Sequence, residues 1–345
     1  MNSKSFFVKS YGCQMNFYDS EKITSILENK GMTEKEEIHH ADVVIFNTCN
    51  IRDKAAHKVY SDIGRVTKLS KNKTIAVVGC VAQAENSEMF NKNNNIDIVL
   101  GPQSYHLLPQ MINDSEKNKE KLINTDFIIN EKFDYINEEK KSKGVSSAIT
   151  IQEGCDKFCS FCVVPFTRGP EYSRHFNDIK LEAESASARG ASEIILLGQN
   201  VNAYNYSYKG KNHHLNYLIN LISEIDEVKR IRYTTSHPIN MSEELIKLHS
   251  ENNKLMPFLH LPVQSGSDQI LKKMNRKYSS YDYRKIIEKL KKYNPNIEIS
   301  SDFIIGYPGE TDKDFDKTLK LVEEIKFTQS YSFIYSERPG TKSAS

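Results

Sequence analysis

The sequence predicts an α/β protein in which a small domain built on a parallel sheet precedes a larger domain of repeated βα units. Short β-branched runs alternate with segments of helical period up to about residue 110, and the alternation resumes from Ser147. A polar stretch rich in Asn, Lys and Glu separates the two series, and 345 residues suit two domains. We expect a first domain over 1–112, a connector over 113–145 and a second domain over 146–345.

The first domain contains four strand-like runs, and helical or short helical segments follow them. The runs are FFVKSYG, ADVVIFNT, TIAVVG and IDIVLG. One helix is expected from about Asp19, where Asp19 and Ser20 are favourable first residues and Gly31 is a favourable stop. A second helix is expected from about Arg52. This order predicts a parallel sheet with crossover helices.

The second domain contains six strand candidates with helical patterns between most of them. They are SAITIQEG, SEIILLGQN, RIRYTTSHP, PFLHLPVQS, IEISSDFIIGYP and SYSFIYS. Six βα units predict a parallel barrel or an open, partial one. Its chemistry is then expected at the carboxyl ends of the strands.

Composition limits the classes of protein to which this chain can belong. Hydrophobic residues make up 38% and charged residues 27%, which is typical of a folded, water-soluble chain. No apolar run approaches the length of a membrane span, and no secretory signal is evident, so we expect a cytoplasmic protein without membrane partners. The 47 basic and 45 acidic residues nearly cancel and neither predict nor exclude nucleic-acid binding.

Three cysteines lie close together in EGCDKFCSFC, at Cys155, Cys159 and Cys162. In a reducing compartment, six cysteines are expected as metal ligands, redox groups or buried residues rather than as three disulfides. Three thiolates on one loop can bind three irons of a four-iron cluster and leave the fourth iron open to another ligand. One alternative is a zinc site completed by a remote residue such as His175. The other alternative is that the three cysteines are unrelated buried residues.

The other three cysteines are distant in sequence but share a position relative to the strands. Cys13, Cys49 and Cys80 each follow a predicted strand within a residue or two, at separations of 36 and 31 residues. The carboxyl ends of parallel strands lie along one edge of a sheet, so the three thiols are predicted to converge on a second site. The alternative is that these cysteines only pack at strand ends.

Several long motifs resemble those of a known family. They are YGCQMNFYDSE, FNTCNIRDKA, GCVAQ, EGCDKFCSFCVVPFTRGPEYSR, LLGQNVNAY, TTSHP, LPVQSGSDQILKKMNRKY and DFIIGYPGET. Together they resemble the methylthiotransferases of the radical S-adenosylmethionine (SAM) superfamily, over nearly the whole chain except the connector. QMN and FCVVPFTRGPE resemble the branch that makes 2-methylthio-N(6)-dimethylallyladenosine in tRNA. The resemblance implies that the second domain is a partial, TIM-like (β/α)6 barrel.

The resemblance also implies a reaction and its cofactors. A [4Fe-4S] cluster on Cys155, Cys159 and Cys162 would cleave SAM to a radical that removes hydrogen from carbon 2 of N(6)-dimethylallyladenosine, at position 37 beside the anticodon of tRNA. A second [4Fe-4S] cluster, on Cys13, Cys49 and Cys80, would carry the sulfur, and a second SAM would donate the methyl group. The implied partners are tRNA, a low-potential electron donor and a sulfur source, and we expect a monomer.

In the family, a small β-barrel that grips tRNA usually follows the second domain. This sequence ends at RPGTKSAS, so that barrel is expected to be absent from the chain.

Further candidates lie near the presumed cofactor pocket, each with a structural alternative. Phe161 is expected near the SAM adenine or as a shield for the cluster. The second strand ends where many radical SAM enzymes contact the SAM amino group, and the residues there are Gly198, Gln199 and Asn200. Three other strand-end residues are expected to face the pocket or to serve turns: Gln264, Ser265 and Gly306. Arg168 and Arg174 suit the SAM carboxylate, an RNA phosphate or salt bridges. The loop tyrosines suit base stacking or packing: Tyr204, Tyr206 and Tyr208.

The sequence allows two other interpretations of the function. The methylthiotransferase acts on threonylcarbamoyladenosine in tRNA or on a ribosomal protein instead of dimethylallyladenosine. In a different class, the chain is a non-enzymatic iron–sulfur protein or a zinc-stabilised RNA-binding module.

Overall fold

A computed structural model of the chain describes residues 4–50, 53–69, 72–127 and 144–344. The chain divides into two compact units, each with a core of its own. The first unit comprises the described part of Met1–Ser142 together with Phe166–Gly169. The second comprises the described part of Lys143–Pro165 and Pro170–Ser345.

The first unit is built on a parallel sheet with the strand order β2-β1-β3-β4-β5-β6. Its strands are β1 Ser5–Ser10, β2 Thr33–Glu34, β3 Val43–Thr48, β4 Thr74–Gly79, β5 Ile98–Leu100 and β6 Leu122–Asn124. The central strands β3, β4 and β5 are buried throughout, as expected for a parallel sheet covered on both faces. The four predicted strands of this region are confirmed.

Helices cover the two faces of this sheet. They are α1 Gln14–Asn29, α2 Asp53–Leu69, α3 Cys80–Glu85, α4 Glu88–Lys92 and α5 Leu108–Asn118. On β3, Val43 and Ile45 pack with residues of α1 and α5, whereas Val44 and Phe46 pack with residues of α2 and α3. Alternating side chains of one strand therefore belong to two separate core layers.

Two predictions for this region were wrong in detail. Helix α1 begins at Gln14, not near Asp19, and Asp19 is buried within it at 1% exposure. The predicted connector begins too early, because α5 runs to Asn118 and β6 adds a parallel edge strand to β5. The rest of that predicted connector, residues 128–143, lies outside the described residues.

The second unit confirms all six predicted parallel strands. Its strands are β7 Ser146–Thr150, β8 Gln152–Glu153, β9 Tyr172–Ser173, β10 Glu193–Leu197, β11 Asn205–Tyr208, β12 Lys211–His214, β13 Arg230–Tyr233, β14 Phe258–His260, β15 Glu298–Ile305 and β16 Gln329–Ile334. Parallel sheets β7-β10-β13 and β14-β15-β16 are linked by a bridge between Ile231 and Leu255. The strands thus follow chain order in a partial (β/α)6 barrel, and the antiparallel ribbons β8-β9 and β11-β12 are additions that the sequence did not predict.

Helices follow the barrel strands. They are α6 Val164–Thr167, α7 Phe176–Ala188, α8 Leu215–Ser223, α9 Glu243–Glu251, α10 Asp268–Lys273, α11 Ser280–Tyr293 and α12 Asp312–Ile325. Short 3-10 helices occur in both units. Those of the first unit are Ile38–His40 and Tyr105–Leu107, and those of the second are Val201–Ala203, Pro238–Asn240 and Lys342–Ala344. Capping boxes start α11 at Ser279 and α12 at Thr311. Within the described ranges, no helix has both the length and the apolar character needed to cross a membrane.

Candidate functional site

The first cysteine triad lies at the carboxyl edge of the first unit's sheet. Cys49 and Cys80 directly follow β3 and β4, and Cys13 follows β1 after a two-residue turn and is the N-cap residue of α1. Strands β1, β3 and β4 are neighbours in the sheet. The convergence predicted from the strand pattern is therefore present in the fold.

Gly12 allows Cys13 and Cys49 to approach each other. Its φ of +106° lies in the region that favours glycine, and a Cβ atom there would lie 2.2 Å from the Cβ of Cys49 and 2.6 Å from its Sγ. No side chain fits in that space. Glycine at this position is thus required by both backbone conformation and packing.

The thiols of this triad influence one another electrostatically. A hydrogen bond involving Cys49 lowers the pKa of Cys13 to about 6, against the opposing effect of burial. Burial raises the pKa of Cys80, and the neighbouring Arg168 opposes that rise. Because the thiolate is the form that binds metal, the lowered pKa of Cys13 favours its ligand form.

A buried ion pair lies beside the same triad. The Arg168 guanidinium donates from Nε to the Sγ of Cys80 at 3.3 Å and from Nη2 to the Oδ2 of Asp19 at 2.6 Å. The side chains of Arg168 and Asp19 are 2% and 1% exposed. Arg168 was predicted to bind the SAM carboxylate, an RNA phosphate or a salt-bridge partner, and the structure gives it a salt bridge and a cysteine contact.

The second triad lies on the loop that follows β8. Gly154 and Phe158 both adopt positive φ, at +74° and +48°, and the Cys162 N–H donates to the carbonyl of Cys159 at 2.9 Å. Such turns bring three cysteines onto one short loop. Cys159 is buried, while Cys155 and Cys162 are partly buried.

The segment after α10 holds this loop in place. The N–H of Ser160 donates to the Met274 carbonyl at 3.0 Å, and its hydroxyl donates to the Lys273 carbonyl at 2.8 Å. The Asn275 amide donates to the carbonyl of Phe158 at 2.8 Å. These backbone and side-chain hydrogen bonds fix the cysteine loop to the barrel and do not depend on a metal.

A buried arginine also accompanies the second triad. Arg276 donates from Nη1 to the Sγ of Cys159 at 3.4 Å and from Nη2 to the Pro262 carbonyl at 2.7 Å. Burial raises the pKa of Cys155 to about 11 and that of Cys162 to about 12. Metal binding at these two thiols must therefore release protons.

The donor set of each triad fits an iron–sulfur cluster. In the part of the chain that the structure describes, no three Cys, His, Asp or Glu side chains gather closely enough to hold a single metal ion. A four-iron cluster binds each cysteine through a different iron, so its ligands stand farther apart than those of one ion. His175, the example of a remote fourth ligand in the alternative zinc site, caps α7 by accepting from the Asn177 N–H at 3.0 Å.

The residues at the end of β10 support the cysteine loop. The Gln199 side-chain oxygen accepts from the Gly154 N–H at 2.7 Å, and the Gln152 oxygen accepts from the backbone N–H of Gln199 and Asn200. A Cβ atom on Gly198 would lie 2.7 Å from that Gln152 oxygen. Asn200 is buried, and its Oδ1 has no hydrogen-bond partner among the described residues.

Among the other predicted strand-end residues, Gln264 is the best candidate for a contact with a ligand. It has a φ of +75°, and no described residue bonds its buried Oε1. A non-glycine residue held in this conformation is often part of a functional site. Ser265 contacts Thr318 at 3.3 Å, Gly306 has a φ of +72° at the end of β15, and Phe161 packs with a small apolar cluster.

Arg174 and Tyr204 have structural partners. The guanidinium of Arg174 donates to the Thr150 carbonyl at 2.6 Å and to Glu182 at 2.8 Å, and it is 3% exposed. The hydroxyl of the fully buried Tyr204 donates to the Arg174 carbonyl. The rings of Tyr206 and Tyr208 lie against that of His175. These contacts favour the structural alternatives for these side chains.

A polar segment at the end of β13 was not predicted from the sequence. Thr235 has a φ of +71°, and neither Ser236 Oγ nor His237 Nε2, both buried, has a partner in the described ranges. Burial lowers the pKa of His237 far below its ordinary value, and its Nδ1 accepts from the Ile239 N–H at 3.3 Å. The neutral ring therefore carries its proton on Nε2. The TTSHP motif was the available signal.

Comparison with known proteins identifies matching families for both units. Residues 5–101 match the family described as Uncharacterized protein family UPF0004, and residues 149–322 match the radical SAM superfamily. The tRNA-2-methylthio-N(6)-dimethylallyladenosine synthase of Wolbachia sp. subsp. Brugia malayi (strain TRS) is 53% identical over 99% of this chain and 78% of that protein. The synthase of Ehrlichia ruminantium (strain Gardel) is 54% identical over 98% of this chain and 77% of that protein.

Solved structures share the fold at low sequence identity. The radical SAM methyltransferase TsrM from Kitasatospora setae, solved with tryptophan and a SAM analogue, superposes with a TM-score of 0.70 at 12% identity over 99% of this chain and 75% of its own. This confirms the predicted α/β architecture. The chain belongs to the radical SAM superfamily and, within it, to the family of the tRNA-2-methylthio-N(6)-dimethylallyladenosine synthases.

Proposed function

We propose that this chain is a tRNA methylthiotransferase that replaces the hydrogen on carbon 2 of N(6)-dimethylallyladenosine, at position 37, with a methylthio group. The observation that carries the proposal is the pair of cysteine triads, each at a carboxyl strand edge, in a chain 53% identical to named synthases of this product. Membership of the radical SAM superfamily implies SAM and one [4Fe-4S] cluster. The named relatives favour dimethylallyladenosine over the other substrates of methylthiotransferases.

The residues assigned to the SAM-cleaving cluster are Cys155, Cys159 and Cys162. Their loop is fixed by hydrogen bonds from the backbone N–H and the hydroxyl of Ser160, and by the side chain of Gln199. A loop held in this way would keep three sulfurs in place for a cluster whose remaining iron is open to SAM. Arg276 donates a hydrogen bond to the Cys159 sulfur and would help to orient it as a ligand.

Three buried side chains at the barrel strand ends are the best candidates for contacts with SAM. The oxygen atoms of Asn200 and Gln264 are acceptors and suit the SAM ammonium group, while the Nε2–H of His237 is a donor and suits an acceptor atom of SAM or of the base. All three side chains are at least nine-tenths buried. Buried polar atoms of this kind gain most when a ligand supplies their missing partners.

The residues assigned to the second cluster are Cys13, Cys49 and Cys80. When bound, the two clusters would supply the electron that cleaves SAM and the sulfur that is transferred. A second SAM supplies the methyl group, and a low-potential electron donor and a sulfur source are the remaining partners of a monomeric enzyme. The protein's own task is to hold the radical carbon, the sulfur and the base within reach of one another and to exclude water.

The experiment uses a tRNA carrying N(6)-dimethylallyladenosine with deuterium at carbon 2. The protein is reconstituted without oxygen and supplied with SAM and a strong reductant, and the nucleosides and 5'-deoxyadenosine are analysed by mass spectrometry. We expect 2-methylthio-N(6)-dimethylallyladenosine together with deuterium in the 5'-deoxyadenosine. The same tRNA with unmodified adenosine is the matched control.

Two results would contradict the proposal. If only tRNA carrying threonylcarbamoyladenosine, or only a ribosomal protein, receives the group, the substrate is wrong. If SAM is not cleaved at all by the iron-loaded protein, the chain is a binding module rather than an enzyme.

A further inference from the structure

Arg168 occupies an unusual position for a charged residue. It lies six positions after Cys162 in sequence, yet the segment Phe166–Gly169 belongs to the first unit. There its Nε contacts the Sγ of Cys80, on the edge of the sheet that carries the first cysteine triad. The guanidinium is thus a cation in direct contact with Cys80, and this first triad is the one proposed to bind the second cluster.

Other buried groups fix this guanidinium. Asp19 accepts from Nη2 at 2.6 Å and also accepts from the Tyr105 hydroxyl at 3.3 Å. The Gln103 amide donates to the backbone carbonyl of Arg168 at 2.9 Å. Because the carboxylate and the backbone are both held, the Nε–H is aimed at the sulfur with little freedom to turn away.

Burying the ion pair of Arg168 and Asp19 costs free energy that packing alone would not require. Two opposite charges that are nearly inaccessible to water lose their hydration, and an ion pair in such a place is often no more stable than an apolar pair of similar size. A contact with a cluster ligand gives the charge a function. The reduction potential of an iron–sulfur cluster depends on hydrogen bonds to its sulfurs and on the net charge around it.

We propose that Arg168 is a positioning residue that orients Cys80 as a ligand and raises the reduction potential of the cluster on Cys13, Cys49 and Cys80, with Asp19 limiting that rise. This inference rests on the proposed function, because it requires the second cluster. A positive charge near the cluster favours the added electron, and a negative charge opposes it. The two residues of the pair therefore act on the potential with opposite sign.

The test isolates the cluster of the first unit. Cys155, Cys159 and Cys162 are replaced together by alanine, the protein is reconstituted, and the midpoint potential of the remaining cluster is measured by a redox titration followed by electron paramagnetic resonance. Into this background we introduce Arg168→Gln, Arg168→Lys and Asp19→Asn. Arg65→Gln is the matched control, because Arg65 is an exposed arginine of the same unit that pairs with Asp62.

The expected result is a pair of opposite shifts. Arg168→Gln lowers the midpoint potential, Asp19→Asn raises it, and Arg65→Gln leaves it unchanged. Arg168→Lys keeps the charge but loses the planar fork that reaches sulfur and carboxylate together, so it gives a smaller shift in the same direction as Arg168→Gln. A role in packing alone would not produce shifts of opposite sign.

The inference is overturned if Arg168→Gln has the potential of Arg65→Gln, or if the Arg168 and Asp19 variants shift the potential in the same direction. If Arg168→Gln binds no cluster, Arg168→Lys and Asp19→Asn decide: opposite shifts support the inference, and any other result rejects it. If the background protein itself binds no cluster, the proposed second cluster fails along with the inference. The two failures are therefore distinguishable.

Discussion

Replacing Gly12 by alanine tests the geometry of the first triad. A Cβ atom at this position would lie 2.2 Å from the Cβ of Cys49, whereas carbon atoms in contact are about 3.5 Å apart. The difference means that Cys49 or the turn must move by roughly 1.3 Å. Metal–ligand distances tolerate deviations of only about 0.2 Å. We therefore expect Gly12→Ala to displace Cys49 from its ligand position.

The matched control is Gly31→Ala, in the same unit. Gly31 also has a positive φ, +82°, but a Cβ atom there would meet nothing within 4 Å. Both variants place alanine at a positive φ that favours glycine, and only Gly12→Ala adds a collision with a cysteine. A loss of iron in Gly12→Ala alone therefore reports mainly the collision.

The assay is iron content after anaerobic reconstitution, measured together with 5'-deoxyadenosine formation from SAM. Two four-iron clusters predict about eight irons per chain for the wild type and for Gly31→Ala, and about four for Gly12→Ala. SAM cleavage should persist in all three proteins. Equal iron in Gly12→Ala and Gly31→Ala would mean that the contact between Gly12 and Cys49 does not set the position of the ligand.

Three further predictions concern buried side chains of the second unit. Burial lowers the pKa of His249 from 6.5 to about 4, so the unfolded chain takes up a proton first as the pH falls. The metal-free protein should therefore lose roughly 3 kcal/mol of unfolding free energy between pH 6.5 and 4 because of this residue. Urea titrations of His249→Gln should not show that loss. Arg174→Gln removes the hydrogen bonds from the buried guanidinium to the Thr150 carbonyl and to the partly buried Glu182, and it should lower the unfolding free energy by about 2 kcal/mol, with an unchanged KM for SAM. His237→Phe removes the Nε2 donor and should weaken SAM binding roughly tenfold in calorimetric titrations of the reconstituted protein.

Each of these predictions has a distinct contrary result. An acid dependence as steep in His249→Gln as in the wild type would mean that other groups cause it. A raised KM for SAM with intact stability in Arg174→Gln would restore the SAM carboxylate as the partner of that guanidinium. Equal affinity for SAM in His237→Phe and the wild type would remove His237 from the cofactor site.

The sequence predicted the convergence of the first triad because it depends on strand order, and strand order follows from βα alternation. It failed at Asp19 because an acidic residue early in a helical pattern usually indicates a helix start. Here Asp19 is buried within α1 to pair with Arg168, which is 149 positions away. No local pattern encodes a partner at that distance. Long-range polar pairing is the part of this site that only the fold reveals.

The strand-end residues show a similar limit. Gln199 was predicted as a cofactor contact, but its side-chain oxygen accepts a hydrogen bond from Gly154 of the cysteine loop. His237 was not nominated, although its buried Nε2 lacks a partner within the described part of the chain. Position at a strand end predicts that a residue is near the site. Which atoms remain available for a ligand depends on hydrogen bonds with loops that are distant in sequence.

In the proposed mechanism, the two triads hold separate clusters with separate tasks. The most direct measurement compares iron content, sulfide content and SAM cleavage in the wild type and in two triple alanine variants, one for each triad. We predict that each variant loses about half the iron, and that only replacement of Cys155, Cys159 and Cys162 abolishes SAM cleavage. Full iron in both variants, or loss of SAM cleavage when Cys13, Cys49 and Cys80 are replaced, would contradict the claim.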